Sequence, residues 1–323
     1  MSDELKPPSG CVRMRLPGTS ANLGPGFDSA AVALDFYLEI EAEPAAEFSI
    51  SATGRDAERC STIEDNLILG IYEGLLRYHG KPVVPLAIRM ANGIPLGMGC
   101  GSSAAGRLAG IALAVHFGQL NWSAEQYLEE AAALEGHPDN AAACWFGGFV
   151  VAASEGRTVH VAHVVPPARW RPIIVLPGEP LSTSTARAML PTTYTSADVV
   201  ANIQSSAMLG LAFAQGRADL LPIAMRDRIH QPYRAEVCHL LPRLLPLPGN
   251  HGILGAALSG AGPAMLVVVD SEASLGEAST AIQQALEGMH KYELLVCRFI
   301  ADGFSQFIES RADSGVRPAS SSS

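Results

Sequence analysis

The period of apolar and polar positions changes repeatedly along the chain. Val12-Arg13-Met14-Arg15-Leu16 alternates strictly, which predicts an opening strand with one buried face. Residues 17–28, crowded with Gly, Pro, Ser and Asn, read as a loop. Ala33–Glu43 predicts a second strand. Leu67, Ile71 and Leu75 share one helical stripe within Asp65–Tyr78, and Gly80 ends it. Leu86–Met90 predicts a short strand. Next comes a second glycine-rich loop, Pro95–Gly101, and an Ala- and Leu-rich stretch that predicts a buried helix as far as Phe117. Ser123 is a suitable N-cap for a helix Ala124–Leu134. Phe149–Ala152 and Thr158–Val165, separated by Glu155-Gly156-Arg157, predict a hairpin.

Pro166-Pro167 reads as a linker, which divides the chain into domains 1–166 and 167–312 with a disordered Ser-rich tail at 313–323. Ile173–Leu176 predicts a strand, Ala197–Gln215 and Ala218–Ile229 predict helices, and Gly252–Gly262 reads as a glycine-rich stretch entering a strand Ala264–Val269. A helix Glu272–Met289 and a strand Tyr292–Phe299 close the second half. No repeat of fixed period is seen.

With 323 residues, 48% apolar and 17% charged, the chain suits two globular domains with sizeable cores. A net charge of −10 argues against nucleic acid as a partner, so an anionic ligand has to be met by local donors. The six cysteines (Cys11, Cys60, Cys100, Cys144, Cys238, Cys297) form no C-x-x-C pair and no zinc spacing, and are expected to be reduced. The polar N-terminus lacks the apolar core of a signal peptide, and no run of about 18 to 20 apolar residues predicts a membrane span. The expected location is the cytoplasm.

Pro95-Leu96-Gly97-Met98-Gly99-Cys100-Gly101-Ser102-Ser103-Ala104-Ala105 carries the strongest chemical signal. Alternating glycines let the backbone turn and approach an anion. The following helix start offers free N–H donors and the positive end of its dipole. Ser102 and Ser103 add hydroxyls, one of them a possible Mg²⁺ ligand. The loop has neither the GK[ST] ending of a Walker motif nor GxGxxG spacing. The plainer alternative is a tight strand-to-helix turn with a capping serine.

This loop resembles the central ATP-binding motif of the GHMP kinase superfamily, except that Cys100 stands where leucine is usual. Ser20–Asp28 resembles the first motif in the form used by homoserine kinases, and Leu258-Ser259-Gly260-Ala261-Gly262-Pro263 the glycine-rich third. The resemblance implies an α+β fold of two domains, the first like domain 2 of ribosomal protein S5 and the second ferredoxin-like, with the cleft between them. It implies ATP and Mg²⁺, phosphate binding by residues 95–105 helped by Gly260 and Gly262, and a homodimer. Phosphorylation of homoserine, a step of threonine biosynthesis, is the implied reaction. Another hydroxylated acceptor or a non-catalytic binding protein are the alternatives.

By the same resemblance, Glu135 in Glu135-Gly136-His137-Pro138-Asp139-Asn140 joins Ser103 at Mg²⁺, and Asn140 lies beside the phosphoryl acceptor. Asp139 aligns with a base in mevalonate kinases, so whether it or Asn140 faces the substrate stays open. Arg187 and Arg234 sit in stretches similar to those that meet the amino-acid carboxylate, where a guanidinium pair can form bidentate forks. Asp28 is assigned to the substrate ammonium, and Asn22, His137 and Thr183 to the same side of the cleft. Asn66 resembles an adenosine contact but equally suits a helix cap.

Overall fold

The computed structural model describes residues 10–289 and 291–309; the expected disordered tail lies outside these residues. The chain forms β1 (Cys11–Asn22), β2 (Gly26–Pro44), β3 (Ser49–Gly54), β4 (Leu86–Asn92), β5 (Phe149–Glu155) and β6 (Thr158–Val164). It continues through β7 (Arg171–Pro177), β8 (Ile253–Leu258), β9 (Met265–Val269) and β10 (Tyr292–Val296), and ends in β11 (Ser305–Glu309). One sheet has the order β11-β1-β2-β4-β3, with the β5–β6 hairpin added to β2. The other has the order β10-β7-β9-β8. The last described strand, β11, therefore crosses back to pair with β1.

Alternation explains how the two sheets share one core. Along β7, Ile173 and Val175 face a cluster with Leu241, Leu244, Ala278 and Ile282. Ile174 and Leu176 face the other way, into the cluster that holds Trp170, Phe213 and the first sheet's inner residues. A strand buried on both faces reads as an unbroken apolar run, as Arg171–Pro177 nearly does. In the first sheet, Val12, Met14 and Leu16 point to the helices, while Arg13 and Arg15 pair with Glu41 and Glu39 outside.

Some expectations need correcting. Residues 17–28 are mostly strand, because β1 runs on to Asn22 and β2 begins at Gly26, with a register shift at Pro17/Gly18. The composition there reflects packing: a Cβ on Gly18 would come within 1.9 Å of the Phe36 ring, and Thr19 and Ser20 are fully buried. Ala218–Ile229 is broken into Ala218–Leu220 and Leu221–Ala224, where Pro222 withholds an N–H. Residues 252–262 contain β8, and the helix after β9 shortens to Leu275–Ala285. Short helices at Asp139–Phe146, Thr183–Ala188 and Gln231–Arg234 were not foreseen.

The helix Ser196–Gln215 is long enough to cross a membrane and has a mean hydropathy of 1.2, with 22% of it buried, yet Asp198, Asn202, Gln204, Ser205 and Ser206 keep it from being an unbroken apolar run. It is tied to the first half by Asn202, whose Nδ2 donates to the Pro25 carbonyl at 3.0 Å. Leu209, Ala212 and Phe213 insert into the core. All six cysteines are free thiols.

Candidate active site

The phosphate-side loop is made by backbone. Gly97, Gly99 and Gly101 have φ of 71°, 79° and 73°, a region that only glycine enters freely. A Cβ on Gly99 would lie 2.1 Å from the Ser259 carbonyl, and one on Gly101 would lie 1.9 Å from Thr19 Oγ1. Four successive carbonyls are held by the protein. Gly97 O accepts from Leu181 N at 3.3 Å, and Met98 O from Ala264 N at 3.2 Å. Gly99 O accepts from Ser259 Oγ at 2.7 Å, and Cys100 O from Thr19 N at 3.0 Å. Since the C=O and N–H of a peptide point oppositely, the loop's N–H groups turn the other way, alongside the free donors at the start of helix Ser102–Phe117. Cys100 is buried beneath the loop, and burial pushes its thiol up to about 12.

A cavity of about 120 Å³ opens at this loop. Gly97, Gly99, Cys100, Gly101, Ser102, Ser103 and Glu135 line its loop end; Gly260 and Gly262 come from the third glycine-rich stretch. Asn22, Asp28, His137, Asp139, Asn140, Thr183, Arg187 and Arg234 line the rest. A second groove of about 360 Å³ shares Gly97, Ser102 and Ser103 and is also lined by Leu96 and Asn66. Pro95 and Met98 line neither: they face a third groove beyond Leu96. Ala104 and Ala105 are buried in the helix.

Asn66 is the N-cap of helix Leu67–Tyr78, its Oδ1 accepting from Ile68 N at 3.1 Å and Leu69 N at 3.3 Å. Its placement in the groove and its capping bonds are compatible, since Nδ2 is turned to the Thr62 carbonyl. Asn22 lines the cavity with its amide engaged by protein: Nδ2 donates to Gly260 O at 2.8 Å and Oδ1 accepts from Asp28 N at 3.0 Å. It therefore joins the first and third motifs.

On the acceptor side, Arg187 forks onto Asp28 at 2.8 and 3.1 Å, and both side chains are about one-third exposed (38% and 31%). Arg234 is buried and, among the described residues, has no carboxylate within ion-pair distance; its Nη1 meets His230 Nδ1 at 3.0 Å. Burial first, then the charge of Arg187, pulls the Arg234 guanidinium below its ordinary value. His230 Nε2 lies 2.8 Å from the Gly24 carbonyl, which can only accept, so Nδ1 is the acceptor for Arg234 and the imidazole is neutral. Burial holds His230 below the ordinary histidine value, consistent with that tautomer. Phe27 stacks on His230 and lies 5.5 and 5.4 Å from the Arg187 and Arg234 guanidinium carbons, a shared aromatic platform.

Asp139 is buried, and its Oδ1 accepts from His137 Nδ1 and the Asn140 amide N–H, both at 2.7 Å, and from Asn140 Nδ2 at 3.2 Å. Asn140 Oδ1 accepts from Thr19 Oγ1 at 2.7 Å, which fixes the amide's orientation. Burial pulls His137 downward, but the hydrogen bond and charge of Asp139, with Glu135 and Asp28 behind them, raise it overall. Ligand atoms of Asp28, His137 and Asp139 lie within 4.8 Å of one another, yet each carboxylate already serves a cation or a ring N–H.

Ser103 and Glu135 do converge, through a residue the sequence did not single out. One nitrogen of Arg107, Nη1, contacts both Ser103 Oγ and Glu135 Oε1, the latter at 3.1 Å. Glu135 Oε2 is buried and, among the described residues, has no hydrogen-bond partner. A hydroxyl beside a carboxylate with a free buried oxygen fits the oxygen-donor preference of Mg²⁺. Thr19, Phe27, Arg107 and His230 were all missed as site residues. His230 and Arg107 left a readable trace, their spacing of four from Arg234 and from Ser103.

A family model described as GHMP kinases N terminal domain matches residues 66–148, and one described as GHMP kinases C terminal matches residues 211–288. The chain is 42% identical over 255 residues to a homoserine kinase of Solibacter usitatus, covering 79% of this chain and 84% of that one. It is 40% identical over 257 residues to a homoserine kinase of Thermus thermophilus, covering 78% and 85%. The crystal structure of homoserine kinase from Cytophaga hutchinsonii superposes with a TM-score of 0.78 at 23% identity, covering 95% of this chain and 99% of that chain, and shares its fold.

Proposed function

This chain belongs to the GHMP kinases and, within them, to the homoserine kinases, and we propose that its cavity phosphorylates the side-chain hydroxyl of L-homoserine with ATP to give O-phospho-L-homoserine. The observation that carries the acceptor assignment is the trio Asp28, Arg187 and Arg234 facing the glycine loop across one cavity. A zwitterionic amino acid presents an ammonium to Asp28 and a carboxylate to the two guanidiniums. It exchanges the one-third-exposed Asp28–Arg187 pair for two pairs of the same signs, and it gives buried Arg234 the carboxylate that no side chain among the described residues supplies.

In this reading the N–H groups of residues 98–103 cradle the phosphates and the groove beside Asn66 takes the adenosine. Ser103 and Glu135 would hold Mg²⁺, whose chemistry is to neutralise phosphate charge. Asn140, oriented by Thr19, positions the acceptor hydroxyl, and Asp139 holds His137 and Asn140 in place. The three hydrogen bonds on Asp139 Oδ1 support a positioning role, with the hydroxyl proton passing directly to a γ-phosphate oxygen. Residues 1–166 and 167–312 are taken as the two domains flanking the cleft, except that β11 (Ser305–Glu309) returns to the sheet of the first, and a homodimer is taken as the assembly.

The test is ADP release from Mg-ATP with L-homoserine, L-serine, L-threonine, galactose and mevalonate. Strong stimulation by homoserine alone is expected. Stimulation by galactose or mevalonate instead overturns the roles given to Asp28, Arg187 and Arg234. Asp139→Asn separates positioning from base catalysis: loss of the acidic limb of the pH–rate profile together with a collapse in turnover defeats the direct-transfer mechanism.

A further inference from the structure

Arg107 occupies an unusual place for a residue with no part in the phosphate loop. It lies in the second turn of helix Ser102–Phe117, four residues after Ser103, so its side chain lies on the same helix face. One guanidinium nitrogen touches both side chains assigned to the metal. The Arg107 and Glu135 side chains are only 21% and 10% exposed, so this pair is largely shielded from water. A carboxylate so buried needs a positive partner, and removal of one member leaves the other charge uncompensated. Glu135 Oε2 keeps a free acceptor position beside the occupied Oε1.

Resting on the reading that Ser103 and Glu135 hold Mg²⁺, we propose that Arg107 is a resident counter-cation of the metal site, a positioning residue that keeps both ligands together in the nucleotide-free enzyme and competes with the metal for them. Two cations sharing one hydroxyl and one carboxylate repel each other, so Arg107 has to withdraw as the metal enters. Metal alone is therefore held weakly. Metal accompanied by phosphates, whose negative charge compensates both cations, is held well. The arginine thus ties occupancy of the metal site to the presence of nucleotide, while the empty site keeps its shape.

Mn²⁺ serves as the probe, its free fraction followed by electron paramagnetic resonance with and without ADP, on wild type, Arg107→Gln, Arg107→Lys and Glu135→Gln, with a thermal melt of each. Arg107→Gln is expected to bind Mn²⁺ alone about tenfold more tightly, to melt lower without metal, and to recover more of its melting temperature on adding Mn²⁺ than wild type does. Arg107→Lys, whose single ammonium makes a weaker contact with the two ligands than the guanidinium does, is expected to bind Mn²⁺ alone more tightly than wild type, by a smaller factor than Arg107→Gln. Weaker or unchanged Mn²⁺ binding by folded Arg107→Gln overturns the proposal and makes Arg107 an ally of the phosphates or a purely structural pair. If Arg107→Gln does not fold, tighter Mn²⁺ binding by Arg107→Lys than by wild type, or equal binding, decides the same point: tighter binding supports weakened competition and equal binding with an unchanged melt rejects it. Unchanged Mn²⁺ binding by Glu135→Gln fails the metal assignment itself, and the proposal falls with it for that separate reason.

Discussion

The two sides of the cavity are built from different material. On the proposed phosphate side, the loop from Gly97 to Gly101 presents its backbone, with four carbonyls anchored and three glycines at positive φ. On the proposed acceptor side, Asp28, Arg187, Arg234, His137 and Asn140 present side chains held by a hydrogen-bonded second layer. Backbone cradles recognise any phosphate and tolerate changes of side chain that point away. Side-chain sets read one acceptor and depend on each member's charge and placement. Cys100 illustrates the first case, because its side chain is packed beneath the loop and its carbonyl bonds Thr19 whatever that side chain is.

The largest effect is expected at the buried end of the acceptor side. Arg234→Met removes a buried, hydrogen-bonded cation, and truncations of this kind cost about 2–5 kcal/mol. The kcat/KM for homoserine should fall on the order of 10²- to 10³-fold, with the nucleotide KM little changed. Arg187→Met acts on a side chain that is 38% exposed and already paired with Asp28, so its loss should be nearer to about tenfold. Steady-state kinetics on both variants checks the ranking; equal losses would mean that burial does not set the contribution.

The phosphate side should break in the opposite way, through a residue without a side chain. Gly99→Ala has to hold φ near 79° while its Cβ meets the Ser259 carbonyl at 2.1 Å, which is backbone and cannot swing aside. Strain of this type is worth about 1–3 kcal/mol before any shift of the loop. Melting temperature and ATP affinity should fall together. Cys100→Ala, one residue away, should lower stability modestly and leave the ATP KM alone. A Cys100→Ala variant that loses ATP binding would contradict the backbone account.

This difference also decides what the sequence could tell. Glycines at alternate positions before Ser102-Ser103 are a local pattern, so the phosphate loop and its helix were legible from the chain. The same holds for β5–β6 and for Ala124–Glu135, whose Ser123 cap does form a capping box with Gln126. Thr19 and Phe27 were hidden in a stretch that reads as loop, because small residues beneath Phe36 look like turn residues. Arg107 was not singled out because its spacing of four from Ser103 gains meaning only when the packing of a second helix brings Glu135 to the same nitrogen. The metal ligands were proposed from resemblance, but nothing local says that a guanidinium stands on both.

A smaller effect separates the side chains that touch substrate from those that aim them. His230→Leu removes the neutral acceptor that orients Arg234 and the ring that stacks on Phe27. The homoserine KM should rise about tenfold while kcat changes less. A matching fall in kcat with unchanged KM would place His230 in the chemical step instead.

The smallest effect is read in stability against pH. His137 is raised above 6.5, so its protonated form is favoured by the fold, chiefly through Asp139 once burial has been overcome. A group whose folded value is raised contributes stability that is fully present below the unfolded value and is lost as pH rises through the folded one. The unfolding free energy of wild type relative to His137→Asn should therefore be largest below about pH 6.5 and shrink above it. Denaturant titrations at several pH values measure that difference. If it grows with pH instead, the imidazole is held neutral against Asp139. The pair would then be an ordinary hydrogen bond, and the acceptor side would carry one positive charge fewer than its geometry indicates.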